Sequence, residues 1–278
     1  MTNDPLHFSF HRAYRGPIQA VILDWAGTMV DFGSCAPAAV FQKVFADQGV
    51  PISTAEAREP MGQEKRAHIR QITEMARVRQ AWQAAHGRCP TPADVDALYA
   101  AFIPRQIAIL ADYAAPIPGV LEALADFRRR GLKIGACTGY NREMMDALIP
   151  ATRAHGLEVD AVVCAGDVPA GRPAPWMVYR LAEALDVYPM TAVLKIGDTV
   201  ADVEEGLNAG AWSVGVAVTG NEIGLAETEL AALAPAAYAR LRREAHQRLA
   251  RAGAHFVVDG LADAPAVVDE INDRLARQ

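Results

Sequence analysis

The sequence predicts an open α/β fold, a parallel sheet with helices on both faces, and a helical segment inserted after its first strand. Three observations predict it. Short apolar runs end repeatedly in glycine turns that carry polar residues. From Pro116 onward these runs alternate with helical patterns, the mark of a parallel sheet. Between Ser34 and Tyr113 no strand pattern occurs, and apolar residues recur at helical spacing.

Taken in order, residues 1–17 read as an N-terminal extension closed by Gly16-Pro17. Val21-Ile22-Leu23 then runs into Asp24, which puts Asp24 at the carboxyl end of a buried strand, where open α/β sheets bind ligands. The Ala26-Gly27-Thr28 turn that follows offers backbone N–H groups to an anion. Val40, Phe41, Val44 and Phe45 mark a helix stopped by Gly49. Glu64 to Ala85 reads as one helix with a stripe of Ile69, Ile72, Met75 and Trp82. Thr91-Pro92-Ala93-Asp94 is a helix start, with a hydroxyl cap, proline at the first position and an acid at the third. That helix should reach about Ala111 and bend at Pro104. Leu132–Cys137 is a strand ending in Thr138-Gly139, with a helix from Arg142. Ala161–Cys164 ends in Gly166-Asp167, and Ala192–Ile196 ends in Gly197-Asp198-Thr199 before a helix through Leu207. Trp212–Val218 and His255–Val258 complete the strands, joined by one long helix over Glu227–Arg251, and a terminal helix closes the chain. The expected division is a discontinuous core of residues 18–33 and 114–278 around a helical cap of residues 34–113.

Composition narrows the function. With 278 residues, 51% hydrophobic and 22% charged, the chain can bury a sizeable core. A net charge of -6 argues against a general nucleic-acid or anionic-membrane binder, while leaving room for a locally positive site. The four cysteines (Cys35, Cys89, Cys137, Cys164) lack C-x-x-C spacing, and the seven histidines form no metal pair. No apolar run is long enough to span a membrane and Met1 to Gln19 has no signal-peptide core, so the expected location is the cytoplasm.

Chemistry gathers at the strand ends. Asp24, Thr138-Gly139, the Arg172 region, and Asp198 with Asp202 converge on one crevice if their strands are neighbours. Three carboxylates in one crevice repel unless a cation neutralises them. Oxygen ligands alone favour magnesium over zinc. Thr138 and Arg172 add donors suited to phosphate, which makes phosphoryl transfer the expected chemistry.

With Asp24-x-Ala26-Gly27-Thr28, Thr138-Gly139, Arg172 and Gly197-Asp198-x-x-x-Asp202 in this order, the chain resembles the haloacid dehalogenase superfamily. The resemblance covers the whole core and implies a Rossmann-like sheet. It makes Asp24 the nucleophile that forms an aspartyl-phosphate. It makes Asp198 a Mg2+ ligand together with Asp24 and the Ala26 carbonyl, and gives Asp202 a supporting role. Two departures narrow it further. Ala26 stands where phosphatases of the superfamily carry a general acid, and Arg172-Pro173 stands where many relatives place lysine. Both features, with Met61-Gly62-Gln63-Glu64-Lys65-Arg66-Ala67-His68 and Thr138-Gly139-Tyr140, resemble the phosphonoacetaldehyde hydrolase family.

That second resemblance implies hydrolysis of a carbon–phosphorus bond through a Schiff base on Lys65, with a small phosphonate as substrate and a homodimer paired through the caps. The missing acid then makes sense, because a carbanion leaving group needs an electron sink rather than a protonated oxygen. Taken alone, Lys65 would read as a solvated helix lysine. His68, one turn away, either tunes the amine or is structural, and Tyr140 and Met61 line the aldehyde pocket or simply pack. Trp25 and Cys35 are expected to be buried and inert. The competing readings are a cap-bearing phosphatase or phosphomutase, against which Ala26 speaks, and a catalytically silent phosphate-binding protein.

Overall fold

Strand β1 (Ala20–Leu23) is fully buried and lies in the interior of a six-stranded sheet. The other strands are β2 (Lys133–Thr138), β3 (Ala161–Cys164), β4 (Val193–Gly197), β5 (Trp212–Val216) and β6 (Phe256–Val258), in the order β3-β2-β1-β4-β5-β6. All pairings are parallel, and the computed structural model describes residues 14–277. The N-terminal extension therefore lies, through residue 13, outside the described residues.

The helices between β1 and β2 are α1 (Cys35–Ala46), α2 (Thr54–Arg58), α3 (Lys65–Glu74), α4 (Ala76–His86), α5 (Pro92–Leu110) and α6 (Val120–Arg129). The first five form the insertion, which as expected contains no strand among the described residues. Phe41, Phe45, Ile69, Ile72, Trp82 and Phe102 are buried inside it. After β2 come α7 (Arg142–Ala154), α8 (Trp176–Ala184), α9 (Val200–Asn208), α10 (Glu227–Ala231), α11 (Pro235–Arg251) and α12 (Ala264–Arg277).

The structure corrects two helices. The expected helix over Glu64–Ala85 is two, α3 and α4, because Met75 is extended at φ −60°, ψ 133°. Thr73 Oγ1 donates back to the Arg70 carbonyl at 2.6 Å, a bond that competes with the helical ladder one turn before the break. The expected helix over Glu227–Arg251 is also two. Ala234 precedes Pro235 and is extended at φ −61°, ψ 142°, because the proline ring disfavours helical geometry in the residue before it. In contrast, α5 starts at the Thr91–Asp94 capping box as read and runs as one helix through Pro104, ending at Leu110 in a short 3-10 turn.

The sheet topology places the site. From β1 the chain pairs with β2 on one side and β4 on the other, so the strand order reverses there and leaves a crevice at the carboxyl ends. Leu23 is in register with Ala136 and with Ile196. Asp24, Thr138 and Asp198 therefore emerge side by side.

Candidate active site

One cavity is lined by Asp24, Ala26, Ser34, Pro37, Met61, Gly62, Lys65, Thr138, Gly139, Tyr140, Arg172, Asp198 and Thr199. Core strand ends and the insertion thus contribute to the same space. Their approach is close: a Cβ on Gly139 would lie 2.4 Å from the Gln63 carbonyl oxygen, so only glycine lets this segment of the insertion dock.

Asp24, Asp198 and Asp202 are buried and each offers one carboxylate oxygen within 4.8 Å of the others. Their surroundings differ. Asp202 is saturated: it accepts from Lys195 Nζ at 2.6 Å and Thr199 Oγ1 at 2.5 Å, and lies 3.1 Å from Arg172. Burial would raise its pKa, but Arg172 and Lys195 outweigh burial and hold it down. Asp198 Oδ2 accepts the Asn221 N–H at 2.8 Å, while its Oδ1 is buried with no partner. Burial, then the charges of Asp24 and Asp202, push the Asp198 pKa well up. Burial likewise raises Asp24, partly offset by Arg172 at 2.7 Å.

Arg172 lies against Asp24 and holds it. Its Nε donates to Glu205 at 2.8 Å, Nη1 to the Gly62 carbonyl at 3.2 Å, and Nη2 to the Cys137 carbonyl at 3.0 Å. Every nitrogen of the guanidinium is therefore engaged by protein acceptors, and the side chain fixes the Asp24 carboxylate to the sheet and to the insertion. Four buried acids (Asp24, Asp198, Asp202, Glu205) face two ion-paired cations, Arg172 and Lys195. That imbalance and the orphaned Asp198 oxygen suit a divalent, oxygen-ligated cation.

Lys65 opens α3 and is buried beside this cluster. Its Nζ stands 5.0 Å from the Tyr140 ring centre and 5.7 Å from that of Phe41, and no ion pair reaches it among the described residues. Burial above all, aided by Arg172 and opposed by Asp24, brings its pKa down to about 8. This is the environment a nucleophilic amine requires.

His68 is not part of the cavity lining. It stacks on Phe41 at 4.0 Å, and its Nε2 lies 2.9 Å from the Ala57 carbonyl, so Nε2 carries the proton. Burial and the charge of Lys65 keep it neutral. Tyr140 and Met61 are buried and do line the cavity. Trp25 is buried as expected. Cys35 is half-buried, and burial raises the pKa of its thiol, so it is inert without being enclosed. In the turn after Asp24, Gly27 and Thr28 spend their N–H groups on Val30 and Trp25 carbonyls, so of that turn only the Ala26 N–H is left to meet an anion.

Sequence reasoning missed Lys195, Glu205 and Thr199. Each left a signal. Lys195 interrupts an apolar strand that is buried on both faces, Glu205 lies one turn beyond Asp202 on α9, and Thr199-x-x-Asp202 has capping-box spacing.

A family model for haloacid dehalogenase-like hydrolases matches residues 18–210. The chain is 48% identical to the phosphonoacetaldehyde hydrolase of Hahella chejuensis, over 98% of this chain and 92% of that one. It is 49% identical to the phosphonoacetaldehyde hydrolase of Nitratidesulfovibrio vulgaris, covering 96% and 95%. A crystal structure of a phosphonoacetaldehyde hydrolase-like protein from Oleispira antarctica superposes with a TM-score of 0.95 at 40% identity, covering 98% of both chains. Among the described residues no helix is long and apolar enough to cross a membrane.

Proposed function

The chain belongs to the haloacid dehalogenase-like hydrolases, and on that premise we propose that it hydrolyses phosphonoacetaldehyde to acetaldehyde and phosphate. The observation that carries this reading is the pairing of two features in one cavity: a buried lysine that no carboxylate pairs among the described residues, and alanine at position 26 close to Asp24. An ester phosphatase would want an acid there, whereas carbon–phosphorus cleavage wants an amine.

In the proposed sequence the neutral Lys65 amine condenses with the aldehyde, releasing water and taking up one proton from solvent to form an iminium. Asp24, fixed by Arg172, attacks phosphorus, and the electrons of the breaking C–P bond flow into the iminium to leave an enamine on Lys65. Protonation of the enamine carbon and hydrolysis release acetaldehyde and regenerate the amine. Water then cleaves the aspartyl-phosphate. Thr138, Gly139, Tyr140 and Met61 all line the cavity, and in this reading the first two meet the phosphonate and the last two the aldehyde. Asp24, Asp198 and the Ala26 carbonyl would hold Mg2+, with Asp202 bracing the loop, and the ion would offset the negative charge that gathers between Asp24 and the phosphonate.

In this reading His68 is a packing residue of the insertion, stacked on Phe41 and bonded to the Ala57 carbonyl. A cytoplasmic homodimer paired through the insertion belongs to the same reading, and light scattering should return twice the chain mass.

Borohydride trapping with phosphonoacetaldehyde, followed by peptide mapping, tests the core of the proposal. A reduced adduct on Lys65, absent in Lys65→Arg together with acetaldehyde release, is the expected result. Phosphate release from phosphate esters with no adduct would sink the proposal and leave an atypical phosphatase.

A further inference from the structure

Arg58 ends helix α2 in the insertion, yet its guanidinium is bonded to the core. Nη1 donates to the Gly33 carbonyl at 2.8 Å and the Ser34 carbonyl at 3.3 Å, where the chain crosses from β1 into α1. The same Nη1 lies 3.1 Å from the Asn221 side-chain oxygen. Asn221 in turn donates its backbone N–H to Asp198 Oδ2 at 2.8 Å. One arginine of the insertion thereby connects the crossing segment to the loop that holds a carboxylate of the cation site.

Both ends of this connection are set by neighbouring contacts. In the crossing segment Asp31, Gly33 and Ser34 all have positive φ, a conformation that surrounding contacts must hold in place. Gly33 donates its N–H to the Thr219 carbonyl at 2.7 Å, and a Cβ on it would lie 2.3 Å from the Leu225 carbonyl oxygen, so the segment lies directly on loop 219–225. Thr219 Oγ1 donates to the Gly27 carbonyl at 3.0 Å, tying the same loop to the nucleophile's turn. Loop 219–225 is therefore shared by the crossing segment, the nucleophile's turn and Asp198.

We propose that Arg58 is a positioning residue that couples docking of the helical insertion to the orientation of Asp198, through Asn221. Cation binding and insertion docking then favour one another, and the linkage is reciprocal. The idea rests on the reading of Asp198 as a cation ligand and adds to it the group that aims this ligand. Arg58 touches neither substrate nor reacting atoms; its effect runs through the loop.

The test measures Mg2+ binding by calorimetry without substrate, alongside hydrogen exchange of residues 219–225 with and without the ion. Arg58→Met is expected to weaken Mg2+ binding by roughly fivefold or more, at the low end of ordinary coupling between sites, and to speed exchange in the loop. Asn221→Ala removes the side-chain amide that accepts from Arg58, keeps the backbone N–H that donates to Asp198, and gives the same reading should Arg58→Met fail to fold. The double variant should be no weaker than the worse single one, because both break the same chain. A merely structural arginine would lower the melting temperature and leave Mg2+ affinity within about twofold of the parent, which would overturn the proposal. A parent protein that binds no Mg2+ would overturn the cation-site reading and this coupling together, so the two failures are distinguishable.

Discussion

Two buried lysines in this protein have opposite fates. Lys195, on β4, is enclosed with Asp202 at 2.6 Å and Glu205 at 3.6 Å. Burial works against its charge, but Asp202 above all holds its pKa well up. Lys65, on the insertion, is as deeply enclosed and faces two aromatic rings, and burial brings it down to about 8. Burial therefore does not set the role of a lysine. The carboxylates that accompany it decide whether it stays a fixed cation or becomes an amine ready to react.

The largest expected effect of breaking this contrast is on catalysis. Lys65→Met should abolish acetaldehyde release, by at least roughly 10³-fold, since a lost nucleophile has no substitute. Its melting temperature should stay level or rise, because no ion pair is lost and an apolar side chain suits the ring-lined site. A marked loss of stability would show that Lys65 is structural after all.

Lys195→Met should do the reverse and cost about 3–5 kcal/mol, because it strips the partner from buried acids. In thermal unfolding that is a fall of roughly 10 °C. Equal stability for the two methionine variants would remove the distinction between the lysines.

A smaller effect separates them by pH. Below about 8 the neutral fraction of Lys65 falls tenfold per pH unit, so the rate of borohydride-trappable imine formation should climb with that slope and level off above it. A pH-independent rate between 6 and 8 would place the amine's pKa elsewhere.

The smallest concerns Asp31, whose pKa burial raises to about 7 despite N–H bonds from Cys35 and Ala36. The folded state then binds a proton that the unfolded chain has released, so this group makes stability fall as pH rises from the ordinary carboxylate range to about 7. Asp31→Asn should flatten that part of the pH–stability curve. An unchanged slope in urea titrations would assign it to other acids.

Much of this was legible in the chain itself. Asp24, Thr138 and Asp198 each follow a short, largely apolar run that reads as a buried strand, so local pattern was enough to put them at strand ends. The motif around Lys65 carried a functional reading because Ala26 leaves a chemical gap for an amine to fill. Helix breaks were less legible. Met75 has no breaker chemistry of its own, and Ala234 is extended because of the proline that follows it.

What the sequence determined by itself, then, is what spacing along one chain can encode: the strand ends and their acids, the helical insertion, the Thr91 cap, and the choice of Asp24 and Lys65 as the pair for which a reaction is proposed. Only the tertiary structure decided the partners of each charge. Arg172, Lys195 and Glu205 are scattered along the chain and meet because β1 lies between β2 and β4, and Arg58 reaches Asn221 across 163 positions. Ion pairing and desolvation depend on distance in space. The depressed pKa of Lys65 and the neutrality of His68 follow from folding and from no local pattern.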